Sequence, residues 1–359
     1  MTSNDGEKAN TAQDTLDYLH KPLPGPKPRV TPTLNVISSS KITLVPTCYD
    51  PKTNAPVYHS FASGGYADLY KAEMTFADES VKVVAVKVFR GAHFSTHTED
   101  QKDVYKNRLL REYEVWGRAK HRNILGLEGL VVVESLVLPS PGLVSQYKDH
   151  GDLHSFMQGS IIFDRLEMAR GIVCGLEYLH NQIKVVHGDL TPVNILIDFD
   201  EATPCYFPLI TDFGKSRVDG KRGYTTTVAE AVFVAARPPE LLDHSDPNPA
   251  TNAGVLSFAG DVYSFSMLLL YVLTGKVPYT QEGIAPLKIL QLICDAAKPL
   301  RPTPEKYPLH NRESHNFCWS IMQACWKHRP EDRITSKSAY DLLHGHTTTL
   351  PFPSPPISV

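Results

Sequence analysis

Apolar positions along this chain change period several times, and each change predicts an element. Val83-Val84-Ala85-Val86-Lys87-Val88 is a β-branched run with one charged interruption, which predicts a strand. From Thr98 to Lys120 apolar residues recur at helical spacing, as in Leu109-Leu110-Arg111-Glu112-Tyr113-Glu114-Val115-Trp116. Leu166, Ala169, Val173, Leu176 and Leu179 keep a period near 3.6 and predict a helix from Leu166 to His180 with one buried face. Directly after it, Val186 to Ile197 sets β-branched and aliphatic residues around a polar centre, the pattern of short strands about a tight loop. The connection from Ile197 to Leu209 is acidic, contains proline and reads as a surface loop. Gly260-Asp261-Val262-Tyr263-Ser264-Phe265 opens a helix apolar on nearly all sides, which belongs in the middle of a domain; Asp261 can cap its start. The remainder to Leu343 reads as helical with proline breaks. Residues 1–40 are polar and then proline-rich, and 346–359 are proline-rich again. Proline fixes φ and removes donors, so both ends read as extended, mobile arms.

Candidate chemistry sits at the ends of the predicted strands. Asp189 and Asn194 stand five residues apart inside His187-Gly188-Asp189-Leu190-Thr191-Pro192-Val193-Asn194. An acid there can accept a proton from an attacking hydroxyl, and an Asn can hold a cation against phosphate oxygens. Further on, Leu209-Ile210-Thr211-Asp212-Phe213-Gly214 places a second acid at a strand end, before a glycine that lets the chain turn sharply. A carboxylate is a hard oxygen ligand suited to magnesium. Lys87, inside a β-run, needs an anion, because burying an unpaired ammonium is costly.

Composition narrows the picture further. A chain of 359 residues has room for a large buried core. Its formal charge of -3 implies no basic field for nucleic acid. Six cysteines lie far apart with no C-x-x-C pair, the usage of reduced core thiols rather than zinc ligands or disulfides. The start has no apolar core to serve as a signal peptide, and the longest apolar run, Met267 to Leu273, is too short to span a bilayer. The expected compartment is cytoplasmic or nuclear; the proline-rich ends could dock on a partner, but a plain linker is the better reading of them.

The catalytic-loop candidate resembles that of eukaryotic protein kinases of the tyrosine-kinase-like Ser/Thr type, and Asp212-Phe213-Gly214 matches the family's metal-binding motif letter for letter. Other segments resemble the family's in order. Phe61-Ala62-Ser63-Gly64-Gly65-Tyr66-Ala67-Asp68-Leu69 stands at the place of the glycine-rich phosphate loop, and Val84-Ala85-Val86-Lys87 at that of the V-A-I-K strand. His121-Arg122-Asn123-Ile124-Leu125 resembles the H-P-N-I-V turn, and counting back from it favours Glu112 as the partner of Lys87. Leu143 to Leu153 resembles the hinge, Arg237-Pro238-Pro239-Glu240 the A-P-E end of the activation segment, and Cys325 to Arg333 the late C-W…R motif. The resemblance implies an α+β, bilobal fold: a small antiparallel β lobe with one helix over about 41–147, and a larger, mainly helical lobe over about 148–345. It implies transfer of the ATP γ-phosphoryl group, assisted by Mg2+, to Ser/Thr hydroxyls of protein substrates. Asp189 would be the base, Asn194 and Asp212 the metal ligands, and Lys87, fixed by Glu112, the phosphate anchor. Ala62, Ser63, Gly64, Gly65, Leu69, Ala85, Gln146, Lys148 and Leu196 would line the nucleotide site, with Ser145 at its back. Glu240 would pair with Arg333, and Asp261 would hold the catalytic-loop backbone.

Departures from the pattern raise other readings. Ala62 and Ala67 replace two loop glycines, which costs roughly 1–2 kcal/mol where φ > 0 is needed. Gly188 replaces the Arg that meets a phosphorylated activation segment, Thr191 stands where Ser/Thr kinases carry a Lys, and Phe233 where they carry a Thr. A pseudokinase scaffold is one alternative. A small-molecule phosphotransferase is another, because His-Gly-Asp resembles the loop of aminoglycoside- and choline-type enzymes.

Overall fold

A computed structural model describes residues 12–22, 32–63, 67–89, 98–136, 139–218, 233–242, 256–279, 284–303 and 312–345. The chain divides into two compact units, Met1–Lys120 with Leu125–Asp149, and His121–Ile124 with His150–Val359. No helix among the described residues is long and apolar enough to cross a membrane.

The first unit is an antiparallel sheet with helices α1 (Ala12–His20) and α2 (Glu99–Arg118). Its strands are β1 (Ile42–Leu44), β4 (Ala62–Ser63), β5 (Ala67–Thr75), β6 (Val81–Phe89), β7 (Leu127–Val133) and β8 (Ser140–Gln146); β2 (Cys48–Tyr49) and β3 (Pro56–Val57) form a separate hairpin. The sheet runs β1-β5-β6-β8-β7, with β4 on β5. Period-2 alternation in β6 buries Val84, Val86 and Val88 in a core with Ala72, Met74, Val131 and Val144, and turns Ala85 and Lys87 to the other face. Thr98 and Gln101 close α2 with a reciprocal capping box. Leu109, Glu112, Tyr113 and Trp116 are buried along this helix, and Glu114 is exposed, as the 100° step per residue requires.

The N-terminal segment differs from the expected arm. Residues 12–20 form α1, and Leu19 and Thr15 are fully buried. Lys106 of α2, 1 % exposed, donates to the carbonyls of Tyr18 at 2.6 Å and Lys21 at 2.5 Å. The Tyr18 hydroxyl donates to Asp103 at 2.6 Å. Burial lowers the Lys106 pKa, and the two carbonyls receive the ammonium that remains. Residues beyond the first prolines also pack: Val36 bridges Leu130, and the Asn35 N–H donates to the Tyr113 hydroxyl at 2.5 Å.

The second unit contains α3 (Leu153–Gln158), α4 (Arg165–Glu177), β9 (Val185–Val186), β10 (Ile195–Asp200), β11 (Cys205–Ile210), β12 (Arg217–Val218), α5 (Phe258–Thr274), α6 (Pro286–Cys294), α7 (Arg312–Cys325) and α8 (Ser336–Gly345). Asp152 and Asp164 cap α3 and α4, and a π-turn over Tyr178–Gln182 carries α4 towards β9. Residues 260–273 of α5 are all buried, as an all-round apolar helix demands. Arg333 grips Glu240 through two bonds of 2.7 Å.

The expected surface loop from Ile197 to Leu209 is instead a hairpin. β10 and β11 pair from Ile195↔Ile210 to Asp200↔Cys205, leaving four residues in the turn. Pro208 is tolerated because this ladder has only two strands, and its carbonyl accepts from the Asn123 amide at 3.0 Å.

Candidate active site

In the second unit the polar residues of the catalytic-loop candidate are held from below by one buried carboxylate. Asp261, at the start of α5, accepts the His187 N–H at 2.7 Å, the Gly188 N–H at 2.8 Å and the His180 Nε2 at 2.9 Å. His180 Nδ1 meets the Ser336 hydroxyl at 3.0 Å. The His187 ring accepts the Asp189 N–H on Nδ1 at 3.2 Å, so Nε2 carries the proton that goes to the Thr211 carbonyl at 3.0 Å. His187 also packs edge-on against Phe213, with centroids 5.6 Å apart. Gly188 has φ 78, and a Cβ there would fall 2.7 Å from Leu256 Cδ1. The missing guanidinium therefore goes with a left-handed backbone and a Cβ position from which Leu256 would have to shift.

Three polar side chains sit on neighbouring segments. Asn194 Nδ2 donates to the Asp189 carbonyl at 2.8 Å and to its Oδ2 at 3.1 Å, which leaves the amide oxygen Oδ1 to face a cation. The Thr211 N–H donates to the Asn194 carbonyl at 3.0 Å, so β10 and β11 bring Asp212 beside the loop. Asp212 adopts φ 63, ψ 79 and accepts the Gly214 N–H at 3.2 Å; Asp tolerates the left-handed region better than bulky residues. Lys215, next in the chain, places its ammonium 2.8 Å from Asp189 Oδ2. That contact is absent from the sequence reading.

The first unit carries the other predicted residues. Lys87 Nζ meets Glu112 Oε1 at 2.7 Å, with side chains 17 % and 2 % exposed. Lys87 lies opposite Leu69 on β5 and Leu143 on β8; Ala85 lies opposite Ser145, and Ala62 opposite Leu69. Ser63 donates its hydroxyl to Asp68, its partner across the β4–β5 pair. Gly64 and Gly65 lie outside the described residues. The Tyr147 N–H is committed to the Val83 carbonyl at 3.3 Å. Gln146 ends β8 opposite Val84, and Lys148 lies two residues past that strand. Phe61 packs edge-on against Tyr147 at 5.4 Å, and Lys71 lies 4.3 Å from the Tyr147 centroid, two contacts the sequence reading also missed. In the second unit Leu196 sits on β10 opposite Leu209 and bridges Asp152.

The first unit thus carries an ion-paired strand lysine, and the second carries Asp189, Asn194 and Asp212 near one end of the β10–β11 hairpin. Residues 42–344 match the family model described as the protein kinase domain, and the chain belongs to that family. It is 26 % identical over 288 residues to the serine/threonine-protein kinase STY46 of Arabidopsis thaliana, covering 77 % of this chain and 41 % of that protein. It is 26 % identical over 338 residues to the tyrosine-protein kinase Shark of Drosophila melanogaster, covering 92 % of this chain and 31 % of that protein. With the lectin-domain containing receptor kinase VI.4 of Arabidopsis thaliana it shares 32 % identity over 243 residues, 61 % of this chain and 32 % of that protein. The chain thus spans under half the length of these relatives.

Proposed function

We propose that this chain transfers the γ-phosphoryl group of ATP to Ser or Thr hydroxyls of protein substrates. The observation that carries the reading is the Asn194 amide on Asp189, with the Thr211 N–H on the Asn194 carbonyl setting Asp212 in the adjoining segment. Asp189 orients the substrate hydroxyl and takes its proton as the hydroxyl oxygen bonds to the γ-phosphorus. The bond from that phosphorus to the β–γ bridging oxygen breaks, and ADP leaves with the electron pair. Lys87, held by Glu112, anchors the α- and β-phosphate oxygens.

No cluster of three or more His, Cys, Asp or Glu side chains able to hold a metal occurs among the described residues. The donor set fits magnesium nonetheless, because this ion keeps waters and phosphate oxygens and needs only one or two protein ligands. Asn194 Oδ1 and the Asp212 carboxylate would hold it. When bound, it neutralises charge on the phosphate oxygens. Loss of two loop glycines weakens nucleotide binding by roughly ten-fold and does not abolish it.

The test is a peptide array incubated with the full chain and Mg-ATP, beside Asp189→Asn and Lys87→Met. Labelling of Ser or Thr peptides by the wild type, lost in both variants, supports the reading. Mg-ATP binding with no transfer would make the chain a scaffold, and transfer to aminoglycosides or choline but not peptides would make it a small-molecule enzyme.

A further inference from the structure

Transfer of a phosphoryl group concentrates negative charge beside the catalytic acid, and a cation there speeds the reaction. Within the loop itself the residue two positions after Asp189 is Thr191, which carries no charge. Its hydroxyl is buried and has no hydrogen-bond partner among the described residues. An ammonium nevertheless stands at Asp189. Lys215 Nζ lies 2.8 Å from Oδ2, the same oxygen that accepts from Asn194.

The position of Lys215 is built by the fold. Asp212 turns left-handed, and Phe213–Lys215 make one 3-10 turn closed by the Ser216 N–H on the Phe213 carbonyl at 3.0 Å. On the far side β12 pairs with β9, Arg217 opposite Val186 and Val218 opposite Val185. The fully buried Ser216 donates its hydroxyl to the His187 carbonyl at 3.0 Å. Lys215 is thus pinned on both sides to the strand and loop that lead into Asp189. Its side chain is 27 % exposed and that of Asp189 17 %. A hydroxyl bonded to Asp189 Oδ2 lies within about 6 Å of this ammonium, since each hydrogen bond spans roughly 3 Å.

We propose that Lys215 is the cation that positions Asp189 and faces the transferring phosphoryl group, doing from the Asp212-Phe213-Gly214-Lys215 turn what no residue of the catalytic loop can do. This role rests on the phosphotransfer function proposed above. Lys215 orients the acid through the 2.8 Å bond and offsets charge on the transferred group; it takes no proton itself.

The experiment uses the full chain with Mg-ATP and a Ser/Thr peptide substrate. It compares the wild type, Lys215→Met, Lys215→Arg, the double variant Lys215→Met with Thr191→Lys, and Asp189→Asn. Readouts are kcat, KM for ATP and peptide, ATP affinity and melting temperature. Lys215→Met should lose about 10²-fold in kcat, the worth of one charge-stabilising donor, while ATP affinity stays within about two-fold. Lys215→Arg should run at least about ten-fold faster than Lys215→Met, because it returns the charge. Thr191→Lys in the Lys215→Met background should recover a similar factor, because it returns an ammonium from another backbone position; a purely structural Lys215 would give no such recovery. A Lys215→Met chain with kcat within about two-fold of wild type, or above it, overturns the role. So does a folded double variant no faster than Lys215→Met. A wild type with no Asp189→Asn-sensitive transfer overturns the phosphotransfer reading itself, and the lysine's role with it.

Discussion

The Asp261 carboxylate holds Gly188 by its backbone, accepting the N–H on Oδ1 at 2.8 Å while Oδ2 takes that of His187 at 2.7 Å. One buried acid on α5 thus sets the path of the chain into Asp189. Removing it leaves buried donors without acceptors, each worth about 1–3 kcal/mol. Asp261→Ala should therefore cost about 3 kcal/mol or more and lower the melting temperature by about 5–10 °C in calorimetry. A shift below about 2 °C would contradict this account.

Gly188 should resist substitution on two counts. Its φ of 78 costs a residue with a Cβ about 1–2 kcal/mol, and Leu256 adds a collision at 2.7 Å. Gly188→Ala should be destabilised, and Leu256→Ala in the same chain should recover the collision part and leave the backbone part. Without a guanidinium at 188, activity should not depend on phosphate in the activation segment. A Thr225→Ala, Thr226→Ala, Thr227→Ala chain, altered at residues outside those described, should keep at least about half its kcat, one missing charge contact elsewhere being worth roughly 10²-fold.

Arg333 and Glu240 form a pair in which the guanidinium side chain is fully buried. Arg333 also donates to the carbonyls of Ala259, Lys327 and His328. Breaking one side of a buried pair costs about 3–5 kcal/mol. Arg333→Met should be the worse of the two single variants beside Glu240→Gln, because it also strands three carbonyls. Denaturant titration of the two singles and the double variant should give a coupling of about 0.5–3 kcal/mol.

The cysteines should separate by reactivity. Burial pushes the Cys318 and Cys325 thiols up to about 12, so roughly one in 10⁴ is ionised at pH 8. Cys48 and Cys294 are exposed. Native-state alkylation at pH 8 followed by mass spectrometry should mark Cys48 and Cys294 first, and Cys318 and Cys325 only when the chain unfolds. Early labelling of Cys325 would refute the packing around it.

The residues most legible in the sequence were those whose chemistry forces a partner. A lysine in a β-run needs an anion, and Glu112 rather than Glu114 lies on the buried face of α2. The late arginine and the glutamate closing the activation segment needed one another in the same way. The β10–β11 hairpin was hidden because Asp198, Asp200 and Pro208 carry loop composition, while a two-stranded ladder needs few apolar residues. Helix α1 was hidden for a different reason. Nine residues are too few for a periodic signal, and its anchor is a lysine 85 or more positions away donating to main-chain oxygens, which no side-chain pattern reports. Lys215 was invisible because a flexible four-carbon stem can reach in many directions, and only the turn after Asp212 decides which.

The docked α1 bears on how this chain is handled in the laboratory. The family match begins at residue 42, an inviting place to start a shortened recombinant clone. Such a clone would remove the buried Leu19 and strip the two carbonyls from Lys106, on the same helix that presents Glu112 to Lys87. Low turnover or poor solubility in that fragment would then report on the cut, not on the enzyme.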